Sequence, residues 1–136
     1  MKSGWTVVAS VILFSQLSTA ASRPHVVVLG KWTIVKWQAE DNGNASDVKV
    51  RPLLVDGRIK EFTVGPAHDV TEHIFVVQRM FRLNDSLPQE PGPARWVWQK
   101  GGWLLVDRAS GRVQPITLPE FDPYRSQANW FRDYIA

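Results

Sequence analysis

The chain has 136 residues, no cysteine and a formal net charge of +3, which falls to +2 if the leader carrying Lys2 is removed. Without cysteine there is no disulfide staple, thiol nucleophile or thiolate metal site, so stability must come from apolar burial or from a partner. The basic excess is small and scattered: Lys31, Lys36, Lys49, Arg51, Arg58 and Lys60 alternate with apolar residues as solvent-facing strand positions do. A nucleic-acid partner would need them gathered on one face with interleaved aromatics, and is excluded.

In chain order, "MKSGWTVVASVILFSQLSTAASRP" reads as an export signal. Lys2 precedes an apolar run from Trp5 to about Leu17, and Ser18-Thr19-Ala20 fits the small-x-small rule for cleavage, with Ala20-Ala21-Ser22 as the other position. The run is shorter than the roughly 20 residues that span a bilayer and is broken by Ser10, Ser15 and Gln16. An uncleaved anchor is the alternative, and membrane contact is expected only in that case. The reading is a signal peptide over 1–20 and one β-rich domain over 21–136, exported to a periplasm or to the extracellular space. The apolar C-terminal end is what a longer chain cut short would show.

"HVVVLGKWTIVKWQA" is one long strand with a bulge, or two short strands meeting at Gly30. "EDNGNASD" is a polar turn, and Asp56-Gly57 in "VKVRPLLVDGRIKEFTV" is a type I′ hairpin signal. Pro52 cannot donate to a ladder, so its strand is expected at an edge or broken there. "TEHIFVVQRMFRLND" is another strand, and the proline-rich "SLPQEPGPA" is a connector. Lys100-Gly101 is read as a two-residue turn that sets Trp98 opposite Trp103, with Trp96 and Leu105 on the same face. "DRASGR" then turns the chain into an edge strand containing Pro115, completing a meander. Asp122-Pro123 is a helix start, and Tyr124, Ala128, Phe131 and Ile135 keep helical spacing; a strand from Trp130 is the alternative. The expected fold is all-β: antiparallel hairpins forming a small sandwich, open barrel or propeller-like fragment, with a short C-terminal helix.

Two groups of residues are candidate sites. His68, Asp69, Glu72 and His73 bring two imidazoles and two carboxylates into six residues. Their spacing matches no zinc motif, and five positions along a strand put the two rings on opposite faces. The ordinary reading is a polar loop entering a strand; the sharper one is a hydrolase or metal-dependent enzyme. Trp96, Trp98 and Trp103 are core if covered and a carbohydrate-stacking surface if exposed in a row, and core is the preferred reading. There is no GxSxG elbow and no phosphate-cradling glycine loop. Asn44-Ala45-Ser46 and Asn84-Asp85-Ser86 match the glycosylation sequon and matter only in a eukaryotic secretory route. No cofactor is implied.

"GGWLLVDRASGRVQPITLPEFDPY" resembles a β-propeller blade hairpin, without the repeat of about 40 residues that a propeller needs. With "VDGRIKEFTVG", "FVVQRMFRLND" and "WFRDYIA", the chain is similar to exported bacterial proteins of unassigned function. Neither resemblance brings catalytic residues. The expectation is a non-enzymatic binding or structural module with a protein or carbohydrate partner.

Overall fold

The computed structural model describes residues 24–38 and 45–136. The leader at 1–20, its cleavage positions and residues 40–44 of the polar turn read over 40–47 lie outside them; Ala45, Ser46 and Asp47 of that turn are strand instead, paired with Gln38, Trp37 and Lys36. The described residues contain no helix. Seven strands form one sheet: β1 (Val27–Leu29), β2 (Thr33–Gln38), β3 (Ala45–Val55), β4 (Arg58–Asp69), β5 (Ile74–Asn84), β6 (Trp96–Asp107) and β7 (Arg112–Ile116). A separate two-stranded hairpin pairs β8 (Trp130–Phe131) with β9 (Tyr134–Ile135).

Turn chemistry sets the antiparallel order. Asp56 and Gly57 both have positive φ (52° and 79°), so Val55 opposes Arg58 across the two-residue turn. The Asp56 carboxylate also accepts the Val26 amide at 2.9 Å and contacts His25 Nδ1 at 2.7 Å, fastening the start of β1 to this turn. The turn after β6 puts Gly111 at φ 69°, with Asp107 capping the amides of Ala109 and Ser110. β1 and β2 lie along the same edge of β3, with Leu29 opposite Leu53 and Thr33 opposite Val50, so one extra residue bulges at the break.

Pro52 is not on an edge strand, because β3 has neighbours on both sides. Its carbonyl accepts Gly30 N, so its missing donor falls on the side where β1 and β2 are interrupted. The ladder is broken at the proline, but on the neighbouring strand. β7 pairs only with β6 and carries Pro115 opposite Leu104, as an edge strand can.

The Lys100-Gly101 turn is not formed. β5 is long enough to pair with β6 throughout, from Ile74↔Asp107 to Asn84↔Trp96, so the chain has no need to reverse. Gln78 opposes Trp103 and Met80 opposes Lys100, which leaves Gly101 and Gly102 facing Arg79 alone: the glycines are a bulge. Trp98 and Trp103 are consequently neighbours along one strand and not a cross-strand pair. The C-terminal helix is also absent. Asp122 caps Tyr124 N, and its carbonyl accepts Ser126 N at 2.8 Å, but this single turn stops there. Arg132 at φ 47° reverses the chain, and Asn129 and Ala136 exchange both backbone hydrogen bonds, closing a hairpin. Trp130 stacks inward while Phe131 stacks on Tyr134, the alternation of a strand.

β2, β3, β4, β5 and β6 form a ring, closed by one parallel bridge between Trp37 and Trp98. Two clusters fill the molecule. Val50, Val64 and Met80 gather Val35, Trp37, Val48, Phe62 and Trp98 near that closure. Leu53, Phe75, Val77, Leu104 and Val106 gather Val27, Leu29, Ala67 and Val113 under β1 and β7. Val77 and Met80, like Val50 and Leu53, are three positions apart on one strand, so the sheet buries apolar residues on both faces.

Candidate functional site: a basic cleft walled by aromatics

Register places Val64, Gln78 and Trp103 side by side on one face of β4, β5 and β6, with Lys100 across the bulge from them. β4 then leaves the ladder: Val64 pairs with Gln78 and His68 with Val76, so Gly65, Pro66 and Ala67 swing out together. Gly65 permits this at φ 73°. The segment 123–131 comes back over this face and forms the opposite wall, enclosing a cleft of about 600 Å³. That volume suits a drug-sized ligand.

Aromatic contacts hold the wall in place. Trp130 packs on Trp103 at 5.3 Å between ring centres and lies over His68 at 6.1 Å. Tyr124 stacks on Trp37 at 6.4 Å, and its hydroxyl donates to the Gln99 side chain. His68 Nε2 bonds the Arg132 carbonyl at 2.8 Å, tying the tail hairpin to the end of β4.

Among the described residues the cleft lining contains His68, Lys100 and Arg125 and no carboxylate, and Arg125 has an interaction partner of its own. The Lys100 ammonium lies 4.0 Å from the centre of the Trp37 ring, and burial pulls it below the usual lysine range. No ion pair among the described residues involves Lys100. The indole Nε1 atoms of Trp37, Trp103 and Trp130 are buried with no acceptor among the described residues. Gln78 donates its amide to Gly101 O at 3.1 Å.

A second cleft, of about 590 Å³, borders the other side of the Val64–Ala67 stretch. Trp32, Lys49 and Arg51 line it, again without a carboxylate among the described residues, and the Arg51 guanidinium lies 4.1 Å from the Trp32 ring centre. Desolvation lowers the Arg51 pKa.

The histidine segment does not converge. His68 is the penultimate residue of β4 and bonds the tail, Asp69 pairs with Arg108 at 2.9 Å, and the Glu72 backbone carbonyl is approached by the same guanidinium. His73 sits beyond a turn in which Thr71 Oγ1 accepts the amides of His73 and Ile74. Among the described residues, no group of three or more His, Asp or Glu side chains could hold a metal ion. His68 reaches the cleft as one wall residue.

The three tryptophans are divided as well. Trp103 is 7% exposed and is core, whereas Trp96 is 61% exposed at the far end of β6. Trp98 packs edge-on against Phe62 with Arg82 over its other side. They do not form an exposed row. Sequence reading missed Lys100, which it spent on a turn, and Tyr124, which it put on a helix; Trp130 it left open between that helix and a strand. Gly101-Gly102 suits a hairpin turn as well as a bulge, so no local signal separated the two. No helix of the described residues is long and apolar enough to cross a membrane. Comparisons of the chain with protein-family models, with curated proteins and with solved structures give no match, so the functional reading rests on the cleft itself.

Proposed function

We propose that the chain is an exported, non-enzymatic binding module that holds a small molecule in the cleft between β4–β6 and the tail. The observation that carries this is the half-buried Lys100 ammonium, set among aromatic rings with no carboxylate among the described residues that line the same cleft. A cation kept partly from water without a counter-charge is unfavourable, and a ligand can supply what the protein does not. The remaining polar groups are mostly used for holding: Gln78 is committed to Gly101, Ser126 accepts the Asp122 amide, and His68 is tied to Arg132. Export is supported by the basic residue, apolar run and small-residue site at the N-terminus.

The test has two arms. The whole chain, expressed with its leader in a bacterial host, is expected in the periplasmic fraction starting at Ala21. Retention in the cytoplasm or an intact N-terminus in the membrane overturns the export reading. The purified protein is expected to melt cooperatively as a monomer by light scattering, with a Tm raised by small molecules from a mixed panel. A Tm that no small molecule moves, with stable capture of a protein or glycan partner, overturns the small-molecule reading.

A further inference from the structure

We infer that the ligand is an organic anion: an oxyanionic head, carboxylate or phosphate, on a flat apolar body. The head lies at Lys100 and the body against Trp103, Trp130 and Tyr124. This inference rests on the binding-module reading and names the chemistry of its ligand.

Three features point the same way. The first is charge: among the described residues the cleft lining holds the Lys100 ammonium and no carboxylate. A cationic or metal ligand would meet Lys100 with nothing to offset the repulsion, whereas an anion restores neutrality at a site where water screens poorly. The second is donor excess. Lys100 brings three N–H donors to the cleft and no acceptor. A carboxylate or phosphate is acceptor-only when ionised, and charge-assisted bonds to such oxygens are roughly twice as strong as neutral ones. The third is shape. Tyr124, Trp103 and Trp130 all line the cleft, so a planar apolar body gains contact area there that a compact ion does not.

Four probes that share one ring system separate these features: naphthalene-2-carboxylate, 2-naphthyl phosphate, the neutral 2-naphthamide and the cationic 2-naphthylmethylamine. Titration calorimetry on the purified chain is expected to give binding of at least one anion about tenfold or more tighter than the amide, with the amine weakest. Comparing the two anions identifies the head group. Lys100→Met is expected to bring the anion down to the affinity of the amide and to leave the amide unchanged, while Lys100→Arg keeps most of the preference; a melt of each variant verifies folding. Amide or amine binding as tightly as the anions, or an anion preference that survives Lys100→Met, overturns the anion inference while the binding-module reading stands. If these probes and the mixed panel all fail to bind, the binding-module reading itself falls.

Discussion

Replacing Gly30 by alanine would place a methyl group 2.6 Å from Pro52 Cγ, 3.0 Å from Pro52 Cδ and 3.3 Å from a Leu54 methyl. Carbon atoms rest at about 3.5–4.0 Å, so the nearest contact is short by about 1 Å. The obstacle is a proline ring on the central strand β3, which cannot swing away as a flexible side chain would. The backbone of the β1–β2 break must move instead, straining the Gly30 N–Pro52 O hydrogen bond. Overpacking of this kind costs about 1–3 kcal/mol. Taking about 2 kcal/mol, a domain of this size should lose about 8 °C in Tm. Gly102 is the internal control: nothing lies within 4 Å of an added Cβ, so Gly102→Ala should melt close to the parent. Pro52→Ala alone should cost about 0.5–1 kcal/mol through greater freedom of the unfolded chain. If the clash is the cause, the Gly30→Ala/Pro52→Ala double variant is more stable than the sum of the single losses implies, by about 1 kcal/mol or more. Urea unfolding with a constant m-value measures all four proteins. Strict additivity, or equal losses for Gly30→Ala and Gly102→Ala, would refute the close approach of β1 to β3.

Further expectations follow from burial and from titration. Leu53 is fully buried at the centre of the β1–β7 cluster, so Leu53→Ala should cost about 2–5 kcal/mol in the same urea assay. Acrylamide quenching should distinguish the tryptophans: Trp96→Phe removes a red-shifted, readily quenched component, and Trp103→Phe removes a blue-shifted, protected one. The Asp56 carboxylate is held below its ordinary pKa chiefly by the Val26 amide, then by His25, and that of Asp107 by the Ala109 amide, then by Ser110. A depressed folded-state pKa contributes stability above the unfolded value of about 3.9, and that contribution is lost as pH falls through the lower folded value. Melts should therefore change little on these groups' account from neutral pH to about 5 and decline below about 4. Asp56→Asn keeps the turn, since asparagine accepts positive φ, and should flatten part of that decline; an unchanged acid limb would contradict the assignment.

Local chemistry was easy to read in this sequence and long-range closure was not. Asp56-Gly57, Gly111 and Pro115 have one dominant physical use each, and all three appear where turn geometry and the missing proline donor require. Gly30 was readable for the same reason. Gly101-Gly102 misled because two glycines suit a turn and a bulge equally well; the decision was made by β5, whose length offers partners past the glycines. The tail misled because spacing at 124, 128, 131 and 135 fits a helix, while Arg132 takes a left-handed conformation that few sequences announce. Of the candidate groups, His68 and Trp103 both reach the cleft, although from readings that had nothing to do with each other. Lys100 gave no signal of its own. Its importance comes from losing water beside Trp37, a residue on a strand that meets β6 only through the parallel bridge.

That bridge also governs the order in which the molecule can assemble. The β3–β4, β4–β5, β5–β6 and β6–β7 pairings each join neighbours in the chain, so their loops close at small entropic cost. Trp37 and Trp98 are about 60 residues apart, and contacts of that separation form late in folding. Trp37 is the ring beneath Lys100 and against Tyr124, so the cleft becomes complete only once the ring of strands has closed and the tail has settled on it. Occupancy is thereby coupled to the last folding step. A bound ligand should leave the refolding rate nearly unchanged and slow unfolding, and stopped-flow traces with and without it would show the asymmetry directly.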